Sequence, residues 1–190
     1  VDPARGGWDD VFRETQETGY LYAIGLDLVE NRNTEGPLRL DRPILEQRNH
    51  AYVRGDYCKP CAIARPVVWT SACHTVEGEP VVLSKGLRLV HLASIDREML
   101  QKRLEDRGDF SKASYSGHAK SRFRQFEKVK SDTAFDLDEA EELVRQRLSQ
   151  DDDGNPTFSP RFSQMRAPDG SLREKSLCVR IPARFGPLIA

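Results

Sequence analysis

The chain has 190 residues, enough for one well-cored domain and marginal for two. Hydrophobic residues make up 38% and charged residues 31%, so a core can form beneath a heavily solvated surface, and a wholly disordered chain is excluded. Basic and acidic residues number 29 and 30, a formal charge of −1, which removes any global attraction to nucleic acid or anionic membranes and leaves only local patches.

In chain order, Trp8, Val11 and Phe12 have the spacing of one or two amphipathic helical turns, closed by Gly19. Tyr20 to Val29 is rich in aromatic and branched residues and reads as a strand, followed by a turn over Asn31 to Gly36. Leu38 to Leu40, Ile44–Leu45, Tyr52–Val53, Pro66 to Thr70 and Pro80 to Leu83 read as short strands, and Leu87 to Ile95 as a stronger one. Asp96 is placed to cap a helix through Met99, Leu100 and Leu104 that ends near Gly108. A second helix starts near Ser116 or Ser121 and carries Phe123, Phe126 and Val129. Asp136 or Asp138 caps a third, whose stripe is Ala140, Leu143, Val144 and Leu148. After the loop at Asp151 to Pro156, Thr157 to Met165 and Leu172 to Ile181 read as a β-hairpin about Ala167 to Gly170. The expected class is α+β, a single domain over 1–190 with a β-rich N-terminal half, central helices and a C-terminal β-hairpin.

No apolar run approaches the roughly 18 residues of a membrane span, so no membrane association is expected. The first residues lack a charged segment followed by an apolar one, which makes the cytoplasm the expected compartment. Four cysteines are few for a disulfide scaffold of this length. Cys58 and Cys61 form a CxxC pair, and Cys73 and His74 follow within sixteen positions, with His50 upstream. Thiolates and imidazole suit tetrahedral zinc, so Cys58, Cys61 and Cys73 with His74 or His50 are candidate ligands of a small zinc-bound subregion over 50–75. Buried, metal-free thiols are the competing reading. Tyr57-Cys58-Lys59-Pro60-Cys61 also resembles the active-site turn of the thioredoxin family, which would imply redox chemistry. The 19 residues from Cys61 to Pro80 are too few for that family's helix, connection and strand.

Residues 101–130 carry nine Lys or Arg against four acids, and 131–153 carry nine acids against two Arg, so blocks of +5 and −7 follow one another. Aromatics are interleaved with the basic block, as stacking on unpaired bases requires. Lys112, Tyr115, Lys120, Arg122, Arg124 and Lys128 are therefore candidate nucleic-acid contacts, and mutual neutralisation of two packed helices is the competing reading. Leu40-Asp41, then Trp69-Thr70-Ser71-Ala72, then the basic stretch from His118 to Arg124 are similar in order to features of RNA-binding subunits of CRISPR ribonucleoprotein complexes, although the glycine-rich loop such subunits carry near the end is absent. The leading expectation is a protein that binds RNA or another single strand, with protein partners in a larger ribonucleoprotein or nucleic-acid-processing assembly. One alternative is an enzyme on a small or phosphorylated substrate with His118 as catalytic acid or base, beside Lys120 and Arg122. Another is a structural or protein-interaction subunit. The acids at 151–153 do not alternate as a calcium loop requires.

Overall fold

Ten consecutive residues, Tyr20–Val29, form β1, and every one is buried. Branched and aromatic side chains stand well on a pleated surface, and burial on both faces makes this strand the middle of the sheet. A computed structural model describes residues 1–54, 58–69, 76–106, 122–130, 134–148 and 176–188. The long strand β4 (Leu83–Ser94) runs parallel to β1 along nearly its whole length, from Tyr22 opposite Leu83 to Val29 opposite Ser94. One edge of β1 is thereby filled, so β2 (His50–Arg54) and β3 (Lys59–Ile63), both antiparallel to β1, divide the other edge between its C-terminal and N-terminal halves. Strand β6 (Ser176–Arg180) pairs antiparallel with β2, and the short β5 (Phe135–Asp136) lies parallel beyond it.

Alternation along β1 sends its residues to two separate cores. Ile24, Leu26 and Leu28 join Ala51, Val53, Leu177 and Val179 beneath Leu137, Ala140 and Val144 of α5 (Leu137–Leu148). On the opposite face, Leu21 and Ala23 meet Val11 of α1 (Trp8–Thr18). Further along that same face, Val29, Tyr52 and Cys178 meet Leu100 of α3 (Arg97–Asp106), with Phe126 of α4 (residues 122–128) and Val129 just beyond it. Helices thus cover both faces of the sheet, and the chain is α+β, with a β-rich N-terminal half, central helices and a C-terminal strand.

The expected helix boundaries are where local chemistry puts them. Gly19 ends α1 in the left-handed region (φ 84°), donating its N–H to Thr15 O at 2.7 Å. Asp96 Oδ1 accepts the Met99 N–H at 2.9 Å and Asp136 Oδ1 the Asp138 N–H at 2.8 Å, so both act as N-caps. Two short strands anticipated before His50 are absent. Ile44 and Leu45 open a single helical turn, α2 (Ile44–Gln47), because Pro43 starts it and only Leu45 needs burial. Leu38 to Leu40 is irregular: the Gln47 side-chain amide takes both the N–H and the C=O of Arg39, leaving no ladder partner there, and Leu40 is exposed. Of the expected C-terminal hairpin, the segment read as the second arm contains β6, and the first, Thr157 to Met165, lies outside the described residues.

Candidate nucleic-acid interface

Helix α3 is held at its start from three directions. Glu30 Oε2 accepts the Arg97 N–H at 3.0 Å, Asp96 caps Met99, and the fully buried Arg48 donates to Asp96 Oδ2 at 3.3 Å and to Ile95 O at 2.7 Å. Its outer surface carries Lys102 and Arg103, exposed and in no ion pair among the described residues. Alongside, α4 turns Phe126 wholly into the core and buries Gln125, whose Oε1 accepts the Ser94 hydroxyl at 3.2 Å. Arg124 is left exposed, and Arg122 and Lys128 are half-buried, each already engaged in an interaction within the chain. Lys130 donates to Glu127 Oε2 at 2.9 Å; this hydrogen bond and the ammonium charge hold the Glu127 carboxyl below its ordinary value.

Of the aromatics in the basic block, Phe126 belongs to the core. Burying such a ring contributes about 1.5–3 kcal/mol, which withdrawing it to stack on a base would forfeit. Phe123 is only half-buried and lies under the Arg97 guanidinium, 5.6 Å from its ring centroid. Together these two line a groove of about 540 Å³ along α3 that carries Arg97 and Lys102 against Glu98, Glu105 and Asp106.

Two acids of α5, Asp138 and Glu141, are paired on the other face of the sheet. Asp138 accepts from Arg5 at 2.9 Å and from Arg184 at 3.0 Å. Glu141, almost fully buried, contacts the equally buried Arg88, which also approaches Asp2 at 3.6 Å. Burial pushes the Glu141 carboxyl up and the Arg88 guanidinium down, because desolvation penalises both charged forms more than each partner's charge restores. Mutual neutralisation of the two blocks is therefore not how Asp138 and Glu141 are satisfied.

The cysteine pair occupies a strand rather than a turn. Cys58 sits in the α5-side core, its Sγ accepting the Gly25 N–H at 3.3 Å, whereas Cys61 is the extra residue where β3 bulges against Leu21 and Tyr22, with its side chain exposed. His50 has both ring nitrogens engaged, Nδ1 with Glu35 Oε1 at 3.0 Å and Nε2 with Asn31 Nδ2 at 3.5 Å. Among the described residues no three His, Cys, Asp or Glu side chains stand together as a metal-binding group. Cys73 and His74 lie outside the described residues, as do Lys112, Tyr115, Lys120 and the catalytic candidate His118. One buried polar row escaped the sequence reading: Asp27, fully buried, has His91 and Tyr52 as its strand neighbours, with Cys178 next to Tyr52. A single Asp in a strand of apolar residues was its only sequence signal.

Neither a scan against protein-family models nor searches of curated proteins and of solved structures found a match for this chain. Among the described residues no helix is long and apolar enough to cross a membrane.

Proposed function

We propose that this chain binds single-stranded nucleic acid, RNA foremost, on the outer surface of α3 and α4, as one subunit of a larger ribonucleoprotein assembly. The observation that carries the reading is the separation of charge. Asp138 and Glu141 of the acidic block take Arg5, Arg88 and Arg184 on one face of the sheet, while over the other Arg124 stands exposed in no ion pair among the described residues, and Lys102 and Arg103 of α3 are exposed beside Glu98, Glu105 and Asp106. Residues 122–130 alone hold four cations against Glu127, a local +3 set on a rigid helix whose inner side is core. A phosphate backbone is the polyanion such a surface attracts, and the Arg97–Phe123 pair offers one flat surface on which a splayed base could stack.

Binding of a fluorescein-labelled oligouridylate, followed by anisotropy across a salt series, tests this. Arg124→Ala, Lys128→Ala and Lys130→Ala should each weaken binding and flatten the plot of log affinity against log salt, by about 0.7 for each phosphate of a single strand that is no longer neutralised. Absence of binding at low salt, or a slope that all three substitutions together leave unchanged, would sink the proposal.

A further inference from the structure

The apolar arc of helix α1 is wider than the part of it that the sheet covers. Val11 and Thr15 face the core and are buried. Trp8 and Phe12, one turn apart with ring centroids 6.1 Å from each other, are 60% and 61% exposed. Two adjacent aromatic rings held in water on a rigid helix are the kind of anchor that protein contacts use. Around them α1 is acidic. Asp10 is paired with Arg13 and Glu14 accepts the Ser84 hydroxyl, which leaves Asp9, beside the rings, exposed with no ion pair among the described residues.

Among the described residues, one other large apolar side chain is exposed on a helix: Met99 of α3, at 50%. Its neighbours one turn on are Lys102 and Arg103, the charge complement of Asp9, with Glu98 beside it and Asp106 a further turn along. The two helices cover the same face of the sheet, and the exposure of both patches shows that neither covers the other within one chain. We infer that the Trp8–Phe12 stripe of one copy docks on the Met99–Lys102–Arg103 surface of a second copy, the rings closing on the thioether while Asp9 meets Lys102 and Arg103. Lys102 and Arg103 also belong to the proposed nucleic-acid surface, whereas Arg124 on α4 takes no part in this contact, so Arg124→Ala reads strand binding separately from self-association. The surface concerned is small, so association is weak and concentration-dependent.

Sedimentation velocity of the purified chain, free of nucleic acid, from about 10 µM to about 1 mM reads the contact directly. The average mass should rise with concentration in the wild type and stay at that of a monomer for Trp8→Ser/Phe12→Ser and for Lys102→Glu/Arg103→Glu, with circular dichroism showing both variants folded. Asp9→Lys should also be monomeric alone. Mixed with Lys102→Glu/Arg103→Glu it should associate again, since the stripe of each variant then meets the α3 surface of the other with opposite charge. A wild type that stays monomeric throughout overturns the inference. So does association that persists in Trp8→Ser/Phe12→Ser, or one that the charge reversals neither abolish nor restore on mixing.

Discussion

Asp2 shows how much one buried carboxylate can hold. Its Oδ1 and Oδ2 take Arg184 at 3.0 and 3.1 Å, Oδ1 also takes the Ala4 N–H at 3.0 Å, and its own N–H donates to Gly86 O at 2.8 Å. Burial works to raise its pKa, but the hydrogen bonds from Arg184 and Ala4 and the charges of Arg184 and Arg88 outweigh it, so the carboxyl lies below its ordinary value. A carboxyl lowered in the fold contributes stability that is complete above the unfolded pKa and is lost as pH falls through the folded one. Asp2→Asn should therefore cost about 1.5–3 kcal/mol in urea unfolding near neutral pH, the worth of hydrogen bonds to a charged group. The gap to wild type should narrow below about pH 4, where the wild-type side chain protonates as well. A gap that does not change with pH would show that the charge of Asp2 is not what holds Arg184. None of this was legible in the sequence, because Asp2 and Arg184 stand 182 positions apart and no local pattern pairs them. Gly19, Asp96 and Asp136 were legible because a cap acts on its own helix within a few residues.

The same division runs through the elements. Tyr20–Val29 announced itself as a strand by composition, and its central place follows from burial on both faces. Ile44–Leu45 did not announce a helix, since two adjacent apolar residues satisfy either period, and the Pro43 turn and the Gln47 amide decided it. The parallel pairing of β1 with β4 was equally hidden, because it depends on a crossover between strands more than fifty residues apart. Helix α3 depends on both local and distant chemistry, and Asp96 separates the two. Its Oδ1 caps the helix while its Oδ2 accepts from the buried Arg48. Asp96→Asn keeps a capping oxygen and removes the charge facing Arg48, whereas Asp96→Ala removes both. The alanine variant should be less stable than the asparagine variant by about 1 kcal/mol, with faster amide exchange confined to the first turn of α3. Equal losses for the two would mean that the cap contributes nothing and that Arg48 alone matters.

Across the whole molecule, the basic and acidic blocks could be counted in the sequence, but which face of the sheet each would occupy could not. That depends on the alternation of β1 and on where α4 and α5 settle, and it turns a neutral chain into one with separated charge. Separation by a sheet makes binding and stability independent quantities. Arg124 is exposed and touches nothing that folding needs, so Arg124→Ala should weaken oligonucleotide binding and shift unfolding by less than about 0.5 kcal/mol. Arg88 is the opposite case, with a side chain 3% exposed against Glu141 at 2%. Arg88→Met alone strands the Glu141 carboxylate in the core and should cost about 3–5 kcal/mol. Arg88→Met combined with Glu141→Leu removes both charges of the main pair and should recover much of that loss, because a desolvated ion pair is often no better than an apolar pair of similar volume. Both Arg88 variants should bind oligonucleotide with wild-type affinity at temperatures where they remain folded, since their charges lie across the sheet from α4. Loss of affinity in the folded double variant would show that the two faces communicate and that the charge separation is not what recruits the strand.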